Sequence, residues 1–169
     1  LFYFNPAIAA AALVIGSDGQ AVFIRRAKDP ARGKLAFVGG FVDPGESAEV
    51  ALRREVREEI GIELDTLEYL SSYPNDYHYQ DVVYPVVDLF FVAHAADHAA
   101  AAALDGVASF EWLDPHAVDL DDLVGDGFGR TLVGAARWVI VIGVMVLGLG
   151  ALYRVATEKR AGWLGLITP

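Results

Sequence analysis

Cysteine is absent from the 169 residues, which excludes disulfides, thiol nucleophiles and cysteine-ligated zinc and leaves the redox compartment open. Positive charge is scarce: Lys and Arg number 13 against 23 Asp and Glu, a net charge of -10. With no basic run along the chain, a clamp for a nucleic-acid polymer is disfavoured. Charged residues of both signs reach only 21% while hydrophobic residues reach 54%, and that balance excludes an intrinsically disordered chain. No basic segment precedes an apolar one near the start, so no secretory signal is visible. An initiator Met is lacking too. The chain opens Leu1-Phe2-Tyr3-Phe4-Asn5-Pro6, which reads as a processed or truncated product.

What is there is unevenly distributed. Residues 1–130 carry 9 basic and 22 acidic side chains, whereas residues 131–169 carry 4 basic and 1 acidic. The length suits one ordinary domain and a short appendage, so the division is placed at residue 130. Within the first part, the apolar run 7–16 and the segment 20–25, separated by Ser17-Asp18-Gly19, read as a β-hairpin. A polar loop at 26–35 leads to an apolar run at 36–42 broken by paired glycines. After the turn Asp43-Pro44-Gly45-Glu46, residues 47–60 read as a helix. Ser47 caps it, Gly61 ends it, and Ala48, Leu52, Val56 and Ile60 form its apolar stripe. Strands are expected at 66–73, 84–93 and 109–113, with a tyrosine-rich loop at 73–84. Strands mixed with one central helix imply an α/β sandwich with a mixed sheet.

The helix carries Glu49, Glu55, Glu58 and Glu59, and positions 55, 58 and 59 share one broad face away from the apolar stripe. Like charges at this spacing repel one another. A hard divalent cation such as Mg2+ or Mn2+ would relieve the repulsion, because carboxylate oxygens are its preferred ligands. Glu46, in the turn before the helix, is placed to approach the same face. The plainer alternative is a solvated helix face whose acids pair locally with Arg53, Arg54 and Arg57.

Gly40, five residues, Glu46, seven residues, and then Arg54-Glu55-Val56-Arg57-Glu58-Glu59-Ile60-Gly61-Ile62 match the Nudix signature at each defining position. Residues 4–125 therefore resemble a Nudix hydrolase. The approach Lys34-Leu35-Ala36-Phe37-Val38-Gly39-Gly40 is similar to the family's as well, with Val38 where a proline usually stands. The resemblance implies a Nudix-type α/β/α sandwich with a mixed sheet. It implies Glu55, Glu59 and Glu58 as metal ligands for Mg2+ or Mn2+, with the Gly40 carbonyl near the metal. Arg54 would orient a catalytic carboxylate, with Glu46 as its partner. Glu58 is expected to accept the proton of the attacking water, with Glu111, beside Trp112, as the alternative. The implied activity is metal-dependent hydrolysis of a diphosphate linkage in a nucleoside diphosphate derivative of the ADP-ribose, NDP-sugar or dinucleotide type. A non-catalytic nucleotide-binding module of the same fold, tethered to a membrane, is the alternative.

Softer signals bear on substrate and location. Arg25, Arg26, Lys28, Arg32 and Lys34 precede the motif and are candidates for phosphate contact. The segment 72–84 holds Tyr73, Tyr77, Tyr79 and Tyr84, whose rings suit stacking on a nucleobase. Its position resembles the specificity loop of NADH-pyrophosphatase-like and ADP-ribose-type relatives. Of the array SQPWPFPxS in the former, only Ser72 with Tyr73-Pro74 is kept. The four histidines fit no ligand spacing, and no phosphate-cradling P-loop or Ser-His-Asp order is visible.

Residues 138–153 are apolar without a charge, between Arg137 and Arg154. As a helix they would extend about 24 Å, and with Leu132–Ala136 and snorkelling arginines would approach the roughly 30 Å of a bilayer core. A C-terminal membrane-spanning helix is thus expected, anchoring a cytoplasmic domain. Arg137-Trp138, Leu152-Tyr153-Arg154-Val155-Ala156, Gly162-Trp163 and Thr168-Pro169 also resemble a fragment of the ribonuclease-BN-like (BrkB-type) membrane family.

Overall fold

The computed structural model describes residues 5–95, 97–119 and 121–123. Strand β1 (Ala7–Ile15) turns through Gly16–Gly19 into β2 (Ala21–Arg26), and two short strands follow, β3 (Leu35–Ala36) and β4 (Val38–Phe41). Helix α1 (Ala48–Ile60) precedes a long hairpin of β5 (Leu64–Tyr79) and β6 (Val82–Ala95). A single 3-10 turn at His98–Ala100 leads to β7 (Val107–Leu113). The seven strands form one mixed sheet in the order β3-β2-β1-β6-β5, with β4 also paired to β1 and β7 to β2. Only β1 and β6 run parallel among these pairs.

Strand β1 explains how an alanine-rich run becomes a sheet centre. One edge pairs with β6 along its whole length, and the other pairs with β4 at Ala9–Ala12 and with β2 at Val14–Ile15. Ala10, Ala12 and Val14 alternate onto the face that α1 covers, where they pack with Leu52, Val56 and Ile60 in a fully buried cluster. Small side chains there let the helix lie close to the sheet. Leu13 points to the other face, which holds a chain of rings: Phe23 and Phe37 lie 5.6 Å apart, Phe37 and Phe90 6.2 Å. Burial on both faces replaces the β-propensity that alanine lacks.

Helix α1 begins and ends as its sequence dictates. The Ser47 side chain accepts a hydrogen bond from the Val50 amide at 3.3 Å, and Gly61 closes the helix in the left-handed region with φ 72. Ala51, Leu52, Val56 and Ile60 are its buried residues.

Two expectations are corrected. The tyrosine-rich segment 73–84 is not a loop: β5 and β6 stay paired from Leu64↔Ala95 out to Tyr79↔Val82, and only Gln80-Asp81 turn. Pro74 and Pro85 are both tolerated in this pairing. Pro74 lies on the edge strand, and Pro85 lies one residue beyond the first row of the β1–β6 pairing, Ala7↔Val86. The expected α/β fold with a mixed sheet is present, and among the described residues α1 is the one α-helix and covers one face of that sheet. Finally, the membrane-spanning helix, and with it membrane association and anchoring, is not borne out. No helix among the described residues is long and apolar enough to cross a membrane, and α1, at 13 residues, keeps a charged face. The stretch 138–153 and the BrkB-like fragment lie outside the described residues.

Candidate active site

Arg54 is the organising residue. It leaves α1 toward the turn before the helix and uses all five of its N–H donors. Nε and Nη2 each donate to a different oxygen of Glu46 at 3.0 Å, Nη1 donates to Glu55 at 2.7 Å and to Glu58 at 3.1 Å, and Nη2 also reaches the Phe41 carbonyl at 3.2 Å. Glu46 is held from a second side, since its Oε2 accepts the Asp43 amide at 3.2 Å. The Arg54 guanidinium, and then that amide, hold the Glu46 carboxyl below its ordinary value. Hydrogen bonds to Glu46 and Glu55 push Arg54 up in turn, so its charge is permanent.

The paired glycines of β4 set the other wall. Gly40 lies against Glu55 so closely that a Cβ there would fall 2.6 Å from the carboxyl carbon. Gly39, at φ 148, has no room on its other side: a Cβ would fall 2.2 Å from the Ala10 carbonyl of β1. Its amide donates to Glu59 Oε2 at 3.0 Å. Glu59 is half-buried, and its carboxyl is pushed up to about 7. Loss of solvent is the main cause, with the charge of Glu55 adding to it and the Gly39 amide opposing it. Sequence reasoning named Gly40 but gave Gly39 no function; the doubled glycine was the available signal.

Of the expected residues, Glu46, Arg54, Glu55 and Glu58 are thus joined through one guanidinium, with Gly40 against Glu55 and Glu59 across the same strand. The expected metal set is looser than its spacing suggested. Among the described residues no group of three or more acidic or histidine side chains stands ready to hold an ion. Glu58 is more than half exposed and turned to Arg54. The donor chemistry nevertheless suits a hard cation. Glu55 and Glu59 are near enough for one charge to oppose ionisation of the other, which is the strain a divalent ion removes.

Glu111 stands elsewhere. In the β2–β7 register it faces Phe23, while its neighbours Phe110 and Trp112 face Ile24 and Val22 and pack toward the α1 side. Glu111 is therefore on the face opposite the helix, where it accepts from Arg25 Nε at 3.1 Å. Four of the five basic residues before the motif are likewise engaged within the protein. Arg25 also binds Asp122, Arg26 the Pro30 carbonyl, Lys28 the side chain of Asp105, and Lys34 the Asp121 carbonyl. His94 and His98 have hydroxyl partners in Thr66 and Ser17.

Phe41 connects the carboxylates to a second feature. Its carbonyl is held by Arg54, and its ring stands edge-on to Tyr77 with centroids 5.4 Å apart. Tyr77 is stacked with Tyr79 at 6.5 Å. Ala7, Phe41, Tyr77, Tyr79 and Tyr84 line an open cavity of about 310 Å³. Flat apolar walls beside a charged site suit a molecule with an aromatic ring at one end and an anionic group at the other.

Residues 5–129 match the family described as NUDIX domain. The chain is 34% identical over 92 residues to the human mitochondrial NAD(P)H pyrophosphatase NUDT13, covering 54% of this chain and 24% of the relative. It is 39% identical over 67 residues to the NAD-capped RNA hydrolase NudC of Pseudomonas entomophila strain L48, covering 40% of this chain and 24% of the relative. The chain thus spans about a quarter of the length of these relatives. Among solved structures, a MutT/nudix family protein from Enterococcus faecalis superimposes with a TM-score of 0.66 at 20% identity, covering 83% of this chain and 64% of that one. At that identity the likeness shows the fold.

Proposed function

Because the chain belongs to the NUDIX family, we propose that it hydrolyses the diphosphate linkage of a nucleoside diphosphate derivative of the NAD(H) or ADP-ribose type, with Mg2+ or Mn2+. Divalent-metal dependence is general to that family. The observation that carries the reading is the single guanidinium of Arg54 gathering Glu46, Glu55 and Glu58 beside Glu59 and the Gly39-Gly40 strand. NAD(P)H and NAD-capped RNA, which the relatives' names specify, share a dinucleotide diphosphate, and that unit is the substrate class proposed here.

The roles follow from the contacts. Glu55 and Glu59, with the backbone at Gly40, would hold the cation, which when bound would neutralise phosphate oxygens and acidify water. Glu46 anchors Arg54 through two parallel hydrogen bonds, an arrangement that fixes the plane of the guanidinium. Arg54 in turn aims Glu55 and Glu58. Glu58 gives Oε2 to Arg54, and the rest of its exposed carboxylate takes the proton from the water that attacks phosphorus. Glu111, engaged by Arg25, is given no part in this scheme. The aromatic cavity receives the ring of the nucleoside. The division of the chain near residue 130 is proposed on the same footing, with the end of the family match at residue 129 in its support.

The test is a substrate panel. The full chain is incubated with NADH, NAD, ADP-ribose and NDP-sugars in Mg2+ or Mn2+, and nucleoside monophosphate release is followed by chromatography. Release from the dinucleotide or ADP-ribose members, abolished by a chelator, is the expected result. No cleavage of any member, with ligand still bound, would overturn the enzyme reading in favour of a binding module.

A further inference from the structure

Glu58 and Glu59 stand in the last turn of α1. The final carbonyls of a helix have no partner within it, and that turn frays first. Here the last four carbonyls are all taken. Gly61, leaving the helix in the left-handed region, gives its amide to the Arg57 carbonyl at 3.0 Å. The other three are met by a segment distant in sequence, between the 3-10 turn and β7. The Ala102 amide donates to the Ile60 carbonyl at 3.0 Å, Leu104 to Glu59 at 2.9 Å and Asp105 to Glu58 at 3.2 Å. Small side chains at Ala101, Ala102 and Ala103 let this main chain run against the helix end.

The segment is moored beyond the helix as well. The Gly106 carbonyl accepts the Ala27 amide at 2.9 Å, and the Asp105 carboxylate accepts from Lys28 Nζ at 3.1 Å. Leu104 lies over the helix stop so closely that a Cβ on Gly61 would fall 3.2 Å from its Cδ1. Both acids are thereby fixed twice. Glu59 accepts the Leu104 amide at its carbonyl and the Gly39 amide at its carboxylate. Glu58 accepts the Asp105 amide at its carbonyl and Arg54 at its carboxylate. A side chain held at its tip is only as well placed as the turn of backbone that carries it.

We propose that residues 102–105 are a positioning strap for the cation site: their amides keep the last turn of α1 wound, and so hold Glu58 and Glu59 in the arrangement a divalent ion requires. This rests on the reading of Glu59 as a metal ligand and of Glu58 as the proton acceptor. Leu104 and Asp105 are positioning residues, acting through the backbone of the two acids.

Coupling is reciprocal, so an ion whose binding depends on the strap must also tighten it. Hydrogen exchange of the full chain, resolved to single amides, is compared without and with saturating Mg2+. The amides of Ala102, Leu104 and Asp105 are expected to exchange about tenfold more slowly with the ion, the size of effect that supporting groups have on metal affinity. Those of Gly19 and Ala117, each held by a turn hydrogen bond elsewhere, are expected to stay unchanged. Leu104→Pro removes one of the three donors, and its Kd for Mg2+, measured by calorimetry, is expected to rise about tenfold. Leu13→Ala, in the core away from α1, is expected to lower Tm and leave that Kd within about twofold, which separates positioning from loss of stability. Mg2+ bound with no slowing at 102–105, or a Leu104→Pro chain that is less stable yet binds Mg2+ as tightly, would overturn the inference. Where Leu104→Pro fails to fold, the exchange comparison on the wild-type chain decides alone. No binding of Mg2+ by the wild-type chain would overturn the cation site itself, and the strap with it.

Discussion

At the scale of single residues, the site depends on the shape of a guanidinium as much as on its charge. Five acceptors in three directions match the five donors of Arg54, and an ammonium has three donors from one nitrogen. Arg54→Lys is expected to keep the fold and lower kcat at least tenfold in the dinucleotide hydrolysis assay, because Glu46 can no longer fix the plane that aims Glu55 and Glu58. Glu59 gives a pH signature in the metal-free protein. Its carboxyl is raised from 4.5 to about 7 in the folded chain, so between those values the folded state binds more protons than the unfolded state. The linkage sign then requires stability to fall as pH rises from about 4.5 through about 7. Thermal unfolding in chelator should show that decline, and Glu59→Gln should flatten it. An unchanged slope in the variant would place the titration elsewhere.

Among the elements, α1 was the most legible in the sequence and the β5–β6 hairpin the least. Ser47, the apolar stripe and Gly61 mark both ends and the buried face of the helix, and each has the local geometry its residue type favours. Leu52 is fully buried between helix and sheet; Leu52→Ala is expected to cost about 2–5 kcal/mol, read from denaturant midpoints. In the hairpin, two prolines and a polar Asn75-Asp76 pair masked an alternation of Tyr73, Tyr77 and Tyr79 that has the period of a strand. Pairing partners decided the matter, and pairing is non-local information. The same limit explains Glu111: its side of the sheet is set by the partner Phe23 on β2, which its own neighbours in sequence do not reveal. The motif on α1 and its turn, by contrast, is local: spacing alone put Glu55, Glu58 and Glu59 on one helix face with Glu46 in reach, and the resemblance to the Nudix signature supplied the expected role of Arg54.

For the molecule as a whole, the family match ends at residue 129, where the charge of the chain changes sign. A chain of residues 1–130 is expected to hydrolyse the same substrates with kcat within about twofold of the full chain; loss of activity would show that the remainder is required. The architecture also distributes stiffness. From Val86 inward β6 is paired on both sides, whereas Val82–Pro85 and the facing half of β5 form a ribbon of two strands. Such a ribbon opens more readily than a strand paired on both edges. Amides of 75–79 and 82–84 are therefore expected to exchange with solvent faster than those of 89–93, measured by hydrogen exchange.

The aromatic cavity straddles that boundary. Ala7 stands in the outermost row of β1 that reaches β6, and Phe41 on β4 opposite Ala9, whereas Tyr77, Tyr79 and Tyr84 stand on the ribbon. Under the proposed reading, a ring bound there would meet three walls carried by the ribbon and a fourth, Phe41, whose carbonyl is held by Arg54.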